Sequence, residues 1–317
     1  MHEGRPPSKT IARASGGHRG TGLPFAALVV ANAALAFGPW FVRLADTGPV
    51  AAGFWRLALG APFLAALAWG GGARPARLPA GLWWVLAGAG IGFAVDIASW
   101  HLGILRTTLA NATLFGNSAT LIFPVWGFLV ARAWPTRTQA LALALAAAGA
   151  GLLLGRSYQL DARHFAGDLL CLLAGTVYTA YFILMARARA TMAPLSSLAL
   201  STAASVPPLL AVALALGERV MPSNWGPLVA LALVSQVLGQ GCMIYALGRL
   251  SPLVMGLGLL MQPIVAAAIG WAVYGERLAG PDLVGAALVA VALVLVRRGG
   301  PVAPVAANPH LVTKEAR

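Results

Sequence analysis

Ten times along this chain, a run of apolar residues reaches or approaches the ~20 residues that a helix needs to cross the hydrocarbon of a bilayer. The runs cover 24–44, 50–69, 80–100, 108–131, 138–155, 166–186, 194–216, 226–247, 252–274 and 281–296. The polar stretches between them are too short to hold a soluble domain. In hydrocarbon every backbone N–H and C=O must find a partner within the protein, which leaves helices or closed barrels. Barrel strands would alternate over about ten residues, and no such alternation is present. The reading is an all-α polytopic membrane protein with ten transmembrane helices. The ninth run, 252–274, is interrupted by Gln262-Pro263. A break of that kind is tolerated only where the freed backbone is buried in protein or lines a cavity.

Composition agrees. The chain is 59% hydrophobic and 10% charged, against roughly 25% charged for a soluble domain. The formal net charge of +13 does not point to nucleic acid, because the arginines sit singly or in pairs between apolar runs and form no stripe with aromatics. Cys171 and Cys242 both lie in apolar runs and read as small buried hydrophobes rather than a disulfide. No His/Cys/Asp/Glu spacing marks a metal site, and no cofactor is implied.

Residues 1–22 are polar and carry Arg5, Lys9, Arg13 and Arg19; they read as a disordered cytoplasmic tail, and 299–317 as a second tail. The run that begins at Pro24 is too long for a signal-peptide core and lacks a small-x-small cleavage site, so it is read as a retained first helix. With the N-terminus inside, fifteen Lys and Arg residues fall on the inner side and six on the outer. That bias places both termini in the cytoplasm. Trp69, Trp83, Trp84 and Trp134 fall near the inner interface, where belt residues belong.

A shift of 145 residues lays Leu102-Gly103 on Leu247-Gly248, Leu105 on Leu250, Leu114 on Leu259, Trp126 on Trp271 and Arg132 on Arg277. The repeat unit is then five spans. An odd number inverts the second copy, and inverted repeats build transporters with a site at the repeat interface. The division expected is 23–157 for the first five-helix repeat and 158–298 for the second.

Ten spans as five plus five, Phe54-Trp55-Arg56 in the second span, and Pro263 followed by Gly275-Glu276-Arg277-Leu278 in and after the ninth resemble the EamA-type branch of the drug/metabolite transporter superfamily. The resemblance covers about residues 24–296 and is strongest in the second copy. In the first copy the Glu position is Ala131, and Ser118 stands where the second has Pro263. The resemblance implies export of small molecules across a bacterial inner membrane by alternating access, with amino acids or related metabolites as cargo and a monomer or homodimer as the working unit.

Polar residues inside spans are costly and default to function. Asp96 and Arg56 lie at similar depth, within reach of each other. They read as binding or coupling groups, or as a structural ion pair with Arg56 snorkelling to headgroups. If export is proton-coupled, Asp96 is the candidate carrier. His101, near the end of the third span, reads as an interfacial residue or a proton carrier. Gln236 and Gln240 are spaced i,i+4 and either bond neighbouring helices or face a wet cavity. Asn117 and Gln262 are equivalent under the 145 shift, as are Trp100 and Tyr245. Asn32 and Trp40 in the first span, and Tyr178 and Tyr181 in the sixth, complete the proposed substrate-binding set. Arg56, His101, Pro263 and Glu276 form a structural or coupling group, with Glu276 placed in an outer turn that fixes the last hairpin.

Absent motifs narrow the class. The only lysines are Lys9 and Lys314, so there is no P-loop lysine and no Schiff-base lysine within a span. HExxH and GxSxG are also missing. A channel, with no ring of charge or filter-like repeat, and an integral membrane enzyme are the alternatives to a secondary transporter; the partners expected are a small-molecule substrate and membrane lipid.

Overall fold

The structure, a computed structural model, describes residues 22–72, 78–106, 115–154, 162–274 and 280–298. Among these the regular structure is entirely helical. In chain order the helices are α1 (Gly22–Leu44), α2 (Pro49–Gly70), α3 (Ala80–Ile104), α4 (Ala119–Ala131), α5 (Arg137–Leu154), α6 (Ala162–Arg189), α7 (Pro194–Ala215), α8 (Gly226–Leu247), α9 (Pro252–Leu259), α10 (Met261–Tyr274) and α11 (Gly280–Arg298). Six of them, α1, α2, α3, α6 (from Phe165), α7 and α8, are each long and apolar enough to cross a membrane.

Proline punctuates these helices for a physical reason. Pro49, Pro194 and Pro252 each stand in a first turn, where the missing N–H would have had no intrahelical partner. α1 breaks at Phe37, ahead of Gly38-Pro39. The expected break at Gln262-Pro263 falls slightly earlier, at Leu260, between α9 and α10. Pro263 then occupies the first turn of α10, where it costs no ladder bond.

The 145-residue repeat is visible in the helix register. α2 and α7 are each 22 residues long. Pro49 and Pro194 start them, Gly70 and Ala215 end them, and Pro62 and Pro207 interrupt them, each pair 145 positions apart. The pattern of neighbours repeats too. α1 lies on α8 as α6 lies on α3; α3 touches α7 as α8 touches α2; α1 meets α10 as α6 meets α4. The main core joins these helices through Leu28, Phe54, Phe93, Phe123, Phe182 and Met243. A smaller core, with Ala142, Ala146, Leu257 and Ala292, joins α5 and α9 to α11. Small residues set the closest approaches. A Cβ on Gly90 of α3 would stand 2.8 Å from the Ser201 carbonyl of α7, and one on Gly103 would stand 2.4 Å from the Cys171 sulfur of α6, so only glycine fits either contact.

One end of this bundle is tied together by its turns. Gly217 adopts a left-handed φ of 65° and closes α7, with the Glu218 N–H donating to the Ala213 carbonyl at 3.0 Å, the long bond of a Schellman ending. That turn swings the Glu218 side chain over the start of α2. Its carboxylate accepts from the backbone N–H groups of Val50 at 3.2 Å and Ala51 at 2.7 Å. A carboxylate on the first turn satisfies orphan donors and favours the positive end of the helix dipole. It serves α2 as a cap supplied from 168 residues away. The Gly48 N–H donates to the Arg219 carbonyl at 3.0 Å, the Trp55 indole to the Val220 carbonyl at 2.7 Å, and the Ser223 N–H to Asp46 at 2.7 Å. The start of α2 therefore meets the end of α7, and the two equivalent helices run antiparallel.

Candidate functional site

A cavity of about 100 Å³ lies in the middle of the bundle. It has room for several waters. Asp96, Trp100 and Phe93 from α3, Arg56 from α2, Asn117 and Gly116 ahead of α4, and Pro39 from α1 line one part of the wall; Tyr178 from α6, Gln240 from α8 and Gln262 from α10 close it. A carboxylate, a guanidinium, three amides and a phenol converge on one cavity inside a largely apolar bundle.

The walls are hydrogen-bonded helix to helix. Gln262 donates to the Asn32 side-chain oxygen at 3.0 Å, while the Asn32 amide donates to the Leu28 carbonyl one turn back at 2.8 Å. Asn32 is fully buried, so the pair fixes α10 against α1. Arg56 is buried in α2. Its Nε donates to Gln236 at 3.1 Å, and Gln236 donates in turn to the Thr202 hydroxyl of α7 at 2.9 Å. The Arg56 guanidinium lies 5.8 Å from the centre of the Phe93 ring, within cation–π range. The Gln240 amide donates to the Tyr181 hydroxyl at 3.3 Å and meets the Tyr178 hydroxyl at 3.4 Å. Phe93, Tyr181 and Tyr178 stack in series, with Phe93 and Tyr181 4.7 Å apart and Tyr181 and Tyr178 5.7 Å apart.

Asp96 stands apart from these networks. It is half-buried and faces the same cavity as Arg56. The two interact electrostatically, yet Asp96 has no hydrogen bond or direct ion pair among the described residues. The Arg56 Nε is turned instead to Gln236, which was expected to share a helix face with Gln240. The two glutamines bond different helices. Leu231–Gln240 is a π-helix, whose ladder runs i→i+5 and whose turns are wider than those of an α-helix. Gln236 points at α2 and α7, and Gln240 at α6 and the cavity.

Asn32, Tyr181, Gln236, Trp40, His101 and Tyr245 are not among the residues that line the cavity. Trp40 stacks on Phe41 with ring centres 5.4 Å apart. His101 is buried, with Nδ1 2.6 Å from the Pro49 carbonyl, and its Nε2 has no partner among the described residues. Tyr245 lies under the Arg249 guanidinium, 4.0 Å from its ring centre, and lines a different space. Pro263 is described only by its backbone, and Glu276 lies outside the described residues. Reading polar residues within spans did not find Phe93, Pro39 and Gly116, which are apolar or small, or Thr202, which bonds Gln236. It also missed Glu218, whose signal was an acid just beyond Gly217 while α2 opens with no capping side chain of its own.

Comparison with known proteins adds three findings. The EamA-like transporter family matches the chain twice, over residues 22–155 and 165–298. The cavity wall draws on both matched segments. A solved crystal structure, titled only as a protein, superposes with a TM-score of 0.70 at 15% identity, covering 88% of this chain and 98% of its own; at that identity the likeness concerns the fold alone. No curated protein sequence matches the chain.

Proposed function

The chain belongs to the EamA-like transporter family of multi-pass membrane proteins, and from that premise we propose that it exports amino acids, or closely related zwitterionic metabolites, through the cavity between its two halves. The observation that carries this reading is the composition of that cavity: Asp96 and Arg56 face it together with Trp100, Asn117, Tyr178, Gln240 and Gln262. A carboxylate and a guanidinium facing one cavity match the ammonium and carboxylate of a zwitterion. Each opposite charge offsets the desolvation of its partner. Aromatic walls accept an apolar side chain, and amides supply orientation.

Ten spans in two inverted five-helix repeats, with both termini cytoplasmic and the chain in the bacterial inner membrane, follow as parts of the same proposal. Transport then alternates access by moving one half against the other. The cavity volume of about 100 Å³ is small beside ordinary ligand pockets of ~300–1,000 Å³. Substrate therefore binds a more open form, and the turns joined by Glu218 and Asp46 close one end.

The test is flux. Purified protein in liposomes is loaded with labelled amino acids, and efflux is followed with and without a pH gradient. Saturable efflux is the expected result. Arg56→Gln and Asp96→Asn each lower efflux tenfold or more, because one charge of the zwitterion then enters the cavity without its partner. Efflux unchanged in both variants sinks the zwitterion reading. Fast, non-saturating flux would make the protein a channel.

A further inference from the structure

A second space, far larger than the central cavity, lies at the end of the bundle opposite the Glu218 turn. Its volume is about 1,220 Å³. The last turns of α2, the first turns of α7 and the last turns of α8 form its walls, through Leu67, Trp69, Leu200, Val237 and Leu238 among others. The groove opens outward: Trp69 is 61% exposed, and Leu67, Trp83 and Leu238 are each about half exposed. In a protein that crosses a bilayer, exposed apolar walls of this kind face lipid. Trp69 and Trp83 are the belt type found at headgroup level.

Two arginines contact residues of this groove's wall. Arg189, at the end of α6, donates to the carbonyls of Ile244 and Met192, and Met192 is itself part of the groove wall. Arg249 lies over the ring of Tyr245, another wall residue. A Cβ on Gly248 would touch the Arg189 guanidinium at 2.7 Å, which brings that group beside the residue preceding Arg249. The two like charges act on each other, and neither has an acidic partner among the described residues. A paired cation beside an apolar channel is complementary to an anionic headgroup with its acyl chains.

We propose that this groove seats an anionic phospholipid, with acyl chain between α2, α7 and α8 and its phosphate between Arg189 and Arg249. The proposal rests on the membrane-spanning architecture and not on the identity of any transported solute. A seated lipid fills the space that separates the end of α2 from the start of α7, and so props open that end of the bundle.

Native mass spectrometry of the full-length protein in detergent tests this. Phosphatidylglycerol and phosphatidylcholine with identical acyl chains are added in competition. Retention of phosphatidylglycerol at least fivefold above phosphatidylcholine is expected. Arg249→Gln, which alters an exposed side chain whose other contacts are with Tyr245 near the end of α8, should bring the ratio to near unity; the double variant with Arg189→Gln should do the same where it folds. Leu238→Trp, which fills the groove, should reduce the retention of both lipids. Equal retention by the unaltered protein, or an undiminished preference in Arg249→Gln, overturns the proposal. Displacement of the lipid by inorganic phosphate at equal concentration also overturns it, because the site would then be one for a free anion.

Discussion

At one end of the bundle, α2 starts beneath the Glu218 carboxylate and beside the Asp46 turn; at the other, its counterpart α7 starts at Pro194 beside an open apolar groove. The two helices have the same length and carry prolines at the same positions, so the difference lies in a few side chains. Under the 145-residue shift Asp46 becomes Thr191, Gly48 becomes Ala193, Trp55 becomes Leu200 and Glu218 becomes Ala73. The Glu218 carboxylate and the Trp55 indole thus have no equivalent side-chain group at the second end. A duplicated scaffold supplies the symmetry, and these substitutions decide which end holds itself shut.

The comparison breaks most sharply at Gly48. Its Cβ would stand 2.4 Å from the Glu218 carboxylate, so Gly48→Ala must expel that side chain and lose both helix caps. The expected cost is roughly 3 kcal/mol, combining overpacking with a lost cap, read as a lowered unfolding temperature in detergent. Glu218→Ala removes the same caps without the clash and should cost roughly 2 kcal/mol. Combined, the two changes should cost clearly less than their sum, since both destroy one contact; strict additivity would separate the clash from the latch. Trp55→Phe keeps most of the ring and loses the bond to the Val220 carbonyl, at about 1 kcal/mol. At the opposite end, Ala193→Gly should change stability by no more than about 0.5 kcal/mol. A larger loss there would mean that the second end is joined after all.

Acidification gives the smallest effect. The Ser223 backbone N–H, first among several donors, holds the Asp46 carboxyl below its ordinary value of 3.8. A depressed carboxyl contributes stability above its unfolded value and loses it as pH falls through the folded one. The latched end should therefore loosen only below about pH 4, and Asp46→Asn should remove that dependence. The Arg219–Asp46 pair at 3.8 Å is exposed and adds little.

Much of the fold was legible because span length is a physical demand that composition must meet. The run expected over 50–69 is the helix Pro49–Gly70, and that over 226–247 is Gly226–Leu247. The site was legible only in outline. Asn117, Gln240 and Gln262 stood out as amides in hydrocarbon, and all three line the cavity. Which way each helix turns was not legible, since helices apolar on every side carry little periodic signal. Trp100 and Tyr245 are equivalent by register and face different spaces. The bond between Asn32 and Gln262 spans 230 residues and depends on the packing of α1 against α10.

The paired prolines carry a spectroscopic consequence. Pro62 takes the ladder donor from the carbonyl of Ala58, and Pro207 takes it from that of Ala203. A carbonyl freed in this way vibrates at a higher frequency than its bonded neighbours, until a water or a hydroxyl reaches it. Carbon-13 labels at Ala58 and Ala203 would place two infrared reporters at the same register of α2 and α7, one in each half of the protein. Their separate shifts during turnover would show which half takes up water, and when.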